Sequence, residues 1–211
     1  MPRRISDSTI RRLSHYLRAL EDLEVEGTGT VSSNDLADRG GTTAAQVRKD
    51  LSQFGSFGKR GLGYAVPELM ATLRKILGLD RRWRVALVGA GRIGSALFEY
   101  PNFAERGFDC VAVLDSDPAK IGCSWGNIGI RDSAELEEAI QALGIDLVIL
   151  AVPQSVAQSI CDRAIAAGAK GIMNFATVHL RVPGGVHLSN VNLVLEMEAL
   201  SFAITQAGFT E

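Results

Sequence analysis

The stretch RVALVGAGRIGSALFEY, from Arg84 to Tyr100, decides the fold. It is typical of a buried strand, a glycine turn and the start of a helix. Its G-x-G-x-x-G spacing supplies glycine for the tight turn, for the approach of backbone to a pyrophosphate, and for close packing of helix on strand. Asp115 ends the next apolar run, CVAVLD, where its carboxylate can bind ribose hydroxyls and repel a 2′-phosphate. The pattern predicts a dinucleotide site that favours NAD(H) over NADP(H), although Arg92 and Lys120 lie nearby.

Apolar runs of the same kind recur along the rest of the chain. RVALVG (84–89), CVAVLD (110–115), DLVILAVP (146–153) and KGIMNF (170–175) do not alternate with polar residues, and helical stretches separate most of them. Strands buried on both faces have this character. We therefore expect an α/β fold whose C-terminal part is a Rossmann-type parallel sheet domain, over residues 81–191.

The first 80 residues have a different character. Helical periodicity predicts helices over 8–25, from Ser32 or Ser33 to Asp38, from Thr42 or Thr43 to Phe54, and over 66–79. Glycines at 55, 58, 61 and 63 favour a tight β-hairpin after the third helix. Residues 1–82 carry 14 Lys and Arg against 10 Asp and Glu, whereas residues 83–211 carry 8 against 14. A basic N-terminal part indicates an anionic partner.

The third helix indicates what that partner is. Val47, Leu51 and Phe54 form its core stripe, so the opposite face presents small, polar and basic side chains and only Asp50 as an acid. Such a face suits the DNA major groove, and a basic loop behind it suits the minor groove. We predict a winged helix-turn-helix domain over 1–80. The predicted DNA contacts are Gln46, Arg48, Lys49 and Ser52 on the helix and Lys59 and Arg60 on the wing.

The C-terminal segment, residues 192–211, is predicted to form a helix that is apolar on more than one face. A helix of this kind is buried on several sides. Either it packs entirely within its own chain, or a second subunit covers it. The pattern alone leaves both alternatives open.

Several classes of protein are disfavoured. Three dispersed cysteines without a CxxC pair argue against a metal site and for small buried residues in a reducing compartment. The N-terminus lacks the apolar core of a secretory signal, and no apolar run is long enough to span a membrane, so a cytoplasmic protein is expected.

An enzyme remains one of the alternatives for the dinucleotide site. His179 is its only plausible proton carrier, and no second domain is large enough to close over a substrate. We therefore expect that the dinucleotide is a signal and that the chain is not an enzyme. A small NAD-dependent oxidoreductase and a dimeric NAD-binding scaffold for protein partners are the alternatives.

The sequence resembles the Rex family of bacterial redox-sensing transcriptional repressors over nearly its whole length. QVRKDLSQFGSFGKRGLGY, VGAGRIG, KGIMNFA and the closing NVNL…LSFAI follow the family's order. The resemblance implies a homodimer whose terminal helix is exchanged between subunits, an inverted-repeat operator in double-stranded DNA, and release from DNA by NADH in competition with NAD⁺. The dinucleotide contacts that it implies, together with the motif, are Gly89, Ala90, Gly91, Arg92, Ile93, Gly94, Tyr100, Asp115, Lys120 and Asn174.

Two positions depart from the family's pattern. Asn192 stands where the family commonly has an aspartate that can pair with the residue matching Arg18, so that ion pair is impossible here. Thr177 replaces a proline that usually follows NFA or NFT. The first change is expected to weaken or rewire the switch.

Overall fold

The computed structural model describes residues 5–58 and 62–207. It divides into two compact units, Met1–Arg81 and Arg82–Glu211. The expected boundary lay between residues 80 and 81. The last segment of the chain, which was expected to stand apart as 192–211, falls within the second unit.

Four helices and a two-stranded sheet make up the described part of the first unit. They are α1 (Asp7–Val25), β1 (Thr30–Val31), α2 (Ser33–Arg39), α3 (Ala44–Ser52), β2 (Tyr64–Ala65) and α4 (Val66–Ile76).

Hydroxyl side chains fix where the first three helices begin. Ser6, Ser32 and Thr43 each accept a hydrogen bond from the backbone amide three residues on, which satisfies a donor that the helix itself cannot. The core of the unit is the buried stripe of α1, including Leu13 and Leu17, packed with residues of the other helices.

The predicted hairpin after α3 takes a different form. Among residues 53–58 and 62–63 no regular strand forms, and β2 instead pairs antiparallel with β1, joining Thr30 to Ala65 and Val31 to Tyr64. Gly63 makes this possible because its φ is +79° and a Cβ there would lie 2.3 Å from the Val31 carbonyl oxygen. The loop is thus anchored to a distant strand rather than to its own neighbour.

The second unit alternates strands and helices. In chain order it contains β3 (Trp83–Val88), α5 (Arg92–Phe98), α6 (Pro101–Glu105), β4 (Phe108–Asp115), β5 (Ser124–Trp125), β6 (Ile128–Asp132), a 3₁₀ turn (Ser133–Glu135), α7 (Leu136–Leu143), β7 (Leu147–Leu150), α8 (Gln154–Ala166), β8 (Gly171–Asn174), β9 (His187–Asn190) and α9 (Leu193–Ala207).

The sheet has the strand order β5-β6-β4-β3-β7-β8-β9, and all of its pairs are parallel except β5 with β6. Its six parallel strands follow the doubly wound order 3-2-1-4-5-6, which confirms the Rossmann-type prediction. Successive residues of β3 alternate between two cores: Ala86 and Val88 lie in one, Val85 and Leu87 in the other. Burial on both faces explains why the apolar runs do not alternate with polar residues.

Helix α9 is exposed along its described side chains, from Leu193 to residue 206. Its large apolar side chains are 58–73% exposed; they are Leu193, Val194, Leu195, Met197, Leu200, Phe202 and Ile204. Asn192 begins the helix, since its Oδ1 accepts the Val194 amide at 3.0 Å. Packing within its own chain, one of the two alternatives, is therefore not what the structure shows.

Candidate functional site

The outward face of α3 is the candidate DNA surface. Val47 and Leu51 are buried against the unit's core, and Arg48 and Lys49 are exposed between them on the other side. The Thr43 cap orients the helix N-terminus, the end that recognition helices direct toward base edges. The exposed cations and the buried stripe lie as the periodicity predicts.

Asp50 differs from its expected position on that face. Its side chain is fully buried. Arg12 of α1 donates two hydrogen bonds to the carboxylate, from Nε to Oδ2 at 2.6 Å and from Nη2 to Oδ1 at 2.8 Å. The Tyr16 hydroxyl donates to Oδ2 at 3.0 Å, and Gln46 Nε2 donates to Oδ1 at 2.7 Å. The outward face of α3 consequently bears no acid among its described residues.

The charge on Asp50 is stabilised where it lies. Burial raises its pKa, but the hydrogen bonds from Arg12, Gln46 and Tyr16 outweigh burial and leave the pKa below its usual range. Burial, followed by the hydrogen bond to Asp50, raises the pKa of Tyr16 to about 12. The carboxylate is therefore ionised at neutral pH, and three hydrogen bonds from Arg12 and Tyr16 tie the recognition helix α3 to α1.

The other predicted DNA contacts differ in their environment. Gln46 is half-buried and bonded to Asp50, whereas Ser52 is exposed and donates its hydroxyl proton to the Lys49 carbonyl oxygen at 2.8 Å. Lys59 and Arg60, expected on the wing, lie outside the described residues. The chain segment that follows them is held by the β1–β2 pairing at Tyr64 and Ala65.

The glycine turn lies at the carboxyl end of β3, beside β7, where the strand order reverses. Ligands of open α/β sheets bind at this point. A Cβ on Gly89 would lie 2.3 Å from the Ala151 carbonyl oxygen, and one on Gly94 only 2.0 Å from the Gly89 carbonyl oxygen. A Cβ on Gly91 would meet nothing within 4 Å. The first and third glycines are thus required by the fold, and the second leaves open space that fits an approaching pyrophosphate.

Asp115 closes one side of this turn. Its carboxylate is 8% exposed, and Oδ2 accepts the Ala90 amide at 2.6 Å and Lys120 Nζ at 3.1 Å, while Oδ1 accepts the Asp117 amide at 2.8 Å. Burial raises the pKa of Asp115, but the three hydrogen-bond donors together outweigh burial and leave the pKa below its usual range. The group is therefore ionised at neutral pH. A carboxylate offers about four acceptor positions, and one on Oδ1 remains for a ribose hydroxyl.

The remaining predicted dinucleotide contacts are not all brought together. Arg92 and Ile93 are exposed on the first turn of α5, next to Gly91. Tyr100 is 47% exposed and lies beyond the other end of α5, about 10 Å away along a seven-residue helix. Its hydroxyl accepts Asn102 Nδ2 at 2.9 Å. The resemblance places Tyr100 near the nicotinamide side of the dinucleotide and not at the glycine turn, and that contact stays a prediction.

Asn174, another predicted dinucleotide contact, is buried and hydrogen-bonded to groups of its own chain. It is 1% exposed; Nδ2 donates to the Val178 carbonyl oxygen at 3.0 Å and to Asn190 Oδ1 at 2.9 Å, and Oδ1 accepts the Ala176 amide at 2.9 Å. Both amide protons are used. The side chain holds the loop that follows β8 against β9, which the sequence pattern did not reveal.

His179 and Cys123, which the sequence analysis considered, both lie at exposed positions. His179 is exposed, and no hydrogen bond to another described residue holds it in place. Residues 5–58 and 62–207 contain no group of three His, Cys, Asp or Glu side chains arranged to hold a metal ion. Cys123 is exposed, unlike the buried cysteine expected there, because its turn lies outside the sheet. In the described ranges no helix is long and apolar enough to cross a membrane.

Arg12 and Tyr16 are functional residues that sequence reasoning missed. They lie one helical turn apart on α1, beside the buried stripe of Leu13 and Leu17. A polar pair with that spacing at the edge of a core stripe was the available signal. What the sequence does not show is the partner, because Asp50 is 38 residues from Arg12.

Comparisons with known proteins match both parts of the chain. A family model described as "Putative DNA-binding protein N-terminus" matches residues 4–52, and one described as "CoA binding domain" matches residues 80–178. The redox-sensing transcriptional repressor Rex of Carboxydothermus hydrogenoformans is 46% identical over 95% of this chain and 97% of its own. Rex of Thermus thermophilus is 44% identical over 99% and 98%.

Solved structures give the same result over the full length. The Rex-family repressor RSP in complex with β-NAD⁺ and operator DNA superposes with a TM-score of 0.93, at 36% identity, over 99% of this chain and 96% of that one. RSP in complex with β-NADH gives a TM-score of 0.88, at 35% identity, over 98% and 97%.

Proposed function

Since this chain belongs to the Rex family of redox-sensing transcriptional repressors, we propose that it binds an operator through α3 and is released from it by NADH. One observation carries the proposal: the chain matches over its full length a repressor whose structure holds β-NAD⁺ and operator DNA together. The exposed cations of α3 and the open glycine turn supply the chemistry for each ligand.

The dinucleotide acts as a signal and not as a reactant. The glycine turn and Asp115 provide for the pyrophosphate and ribose. NADH can release DNA only if it has a higher affinity for the form of the protein that does not bind DNA than for the form that does. A tenfold preference corresponds to about 1.4 kcal/mol. The names of the relatives, which are transcriptional repressors, support the proposal that the dinucleotide does not react here.

A homodimer fits the exposed apolar surface of α9. Burying one large apolar side chain contributes about 1.5–3 kcal/mol, and seven such side chains are exposed on this helix. We assign residues 1–80 to DNA binding, 81–191 to dinucleotide binding, and 192–211 to a helix exchanged between subunits. A two-fold dimer reads an inverted repeat, because the operator then has the symmetry of the protein. We propose a cytoplasmic location, where both of its ligands, DNA and NAD(H), are present.

Charge removal on α3 tests the DNA surface. Arg48→Ala and Lys49→Ala are each compared with Lys75→Ala, which removes an exposed lysine from α4 in the same unit. We expect weaker operator binding and a shallower salt dependence, by about 0.9 in log–log slope for each lost phosphate contact. Affinity for NADH should not change. Operator affinity that is unchanged in both α3 variants would refute the assignment.

A further inference from the structure

The buried Asp50 fixes which way the Gln46 amide points. The carboxylate is ionised and can only accept hydrogen bonds, so the group facing it must be the amide nitrogen and not the amide oxygen. The structure has this arrangement, with Gln46 Nε2 2.7 Å from Asp50 Oδ1. A flip of the amide would bring two oxygens together over a buried charge, so the orientation is held.

Asp50 is held by hydrogen bonds on both of its carboxylate oxygens. Asp50 is fully buried, and Arg12 and Tyr16 of α1 occupy both of its oxygens alongside Gln46. Arg12 is also held by Thr9, whose Oγ1 accepts Nη2 at 3.2 Å. Gln46 is thus oriented by a network that spans two helices, whereas glutamine side chains on helix surfaces ordinarily rotate freely.

Gln46 lies near the N-terminus of α3, the part of a recognition helix whose side chains contact base edges. It is the third residue of α3, in the first turn, and it is only half-buried. With Nε2 held by Asp50, Oε1 is the group directed away from the carboxylate. In the major groove the exocyclic amines of adenine and cytosine are donors to such an oxygen, while guanine and thymine present acceptors.

We propose that Gln46 is a specificity-determining residue that recognises an exocyclic amine, on adenine or cytosine, and that Asp50 is the positioning residue that orients it. This inference rests on the proposed DNA-binding function. The specificity of the operator is then set partly by a contact between α1 and α3 that does not touch DNA. This gives Asp50, the single acid on a basic helix, the role of orienting the Gln46 side chain.

Selection from a randomised duplex library tests the proposal. The full-length protein, Gln46→Met and the matched control Gln53→Met, an exposed glutamine at the end of the same helix, are each used to enrich bound sequences. For the unsubstituted protein and the control we expect one position per half-site at which one base pair is favoured about tenfold. In Gln46→Met that preference should fall to within about twofold, with the salt dependence of binding unchanged.

Asp50→Asn gives the positioning readout. It should relax the same position while Gln46 is intact, a change in base preference that loss of stability alone does not produce. Gln46→Met keeps the test valid if Asp50→Asn fails to fold. Identical preferences in the unsubstituted protein and Gln46→Met would overturn the inference alone. So would undiminished binding when the adenine or cytosine of the relaxed base pair is replaced by an analogue without the exocyclic amine. A protein that enriches no sequence would overturn the proposed function and this inference with it.

Discussion

Gly91→Ala should weaken NADH binding without destabilising the fold. A Cβ at this position meets no atom within 4 Å, and the backbone φ is −91°, so alanine fits without strain. Gly91 is also the N-cap of α5, where alanine is poorer than glycine by up to about 1 kcal/mol. Alanine restricts the unfolded chain and regains about 0.4–1 kcal/mol. The two effects nearly cancel, and we expect the free energy of unfolding to change by less than about 0.5 kcal/mol.

NADH binding should respond quite differently. The open space at Gly91 is where the pyrophosphate approaches the backbone, and a methyl group there holds it off the amides. Losing one hydrogen bond to a charged group costs about 1.5–3 kcal/mol, which corresponds to binding weaker by about 10- to 100-fold. Thermal unfolding without ligand and isothermal titration with NADH measure the two quantities on one preparation.

Gly94→Ala is the matched control within the same motif. Its Cβ would lie 2.0 Å from the Gly89 carbonyl oxygen, and at least about 1 Å of movement between helix and strand is needed to relieve the contact. Overpacking of this size costs about 1–3 kcal/mol, so Tm should fall by at least about 3 °C. Gly91→Ala that binds NADH as tightly as the unsubstituted protein would refute the placement of the pyrophosphate on this turn.

Three further predictions concern other parts of the molecule. Asp115→Ala should lower the affinity for NADH at least about tenfold. It should also reduce the ratio of the NADH affinity to the NADPH affinity, since the charge that repels a 2′-phosphate is lost. Fluorescence titration with both dinucleotides measures this ratio, and an unchanged ratio would contradict the prediction. The pKa of Tyr16 is raised from 10 to about 12, so its contribution of about 2–3 kcal/mol is present below pH 10 and lost as pH rises toward 12. Absorbance of tyrosinate should therefore show one phenol that titrates near pH 12 in the unsubstituted protein and is absent from Tyr16→Phe. If the phenol that Tyr16→Phe loses instead titrates near pH 10, the prediction is wrong. Leu200→Glu should yield a 22.6 kDa monomer by sedimentation velocity where the unsubstituted chain has twice that mass, and a monomeric unsubstituted chain would contradict the dimer.

Sequence periodicity predicted the elements that are long or strongly apolar. Helices α1 to α4 and strands β3, β4, β7 and β8 begin and end within a few residues of their predicted bounds. Strands β5, β6 and β9 were not predicted. SW, IGIRD and HLSN are short, lie toward the edges of the sheet and mix polar with apolar residues, so they have neither an apolar run nor a clear alternation.

The candidate sites were predictable to the extent that they are local. The glycine motif and the exposed cations of α3 depend on spacing within a single element. The burial of Asp50 depends on Arg12 and Tyr16, which another helix supplies from more than 30 residues away. Periodicity treats a carboxylate as a surface residue, and only tertiary packing can reverse that. Asn174 is a similar case, because its loop partners become visible only once β8 and β9 pair.

Coupling between the two ligands is the central claim, and anisotropy of a fluorescein-labelled duplex measures it most directly. The duplex carries a sequence enriched in the library selection, and the full-length protein bound to it is titrated with NADH and, separately, with NAD⁺. We predict that NADH releases the duplex and that NAD⁺ does not. A duplex that stays bound at NADH concentrations shown by calorimetry to saturate the protein would contradict the claim that the dinucleotide controls DNA binding.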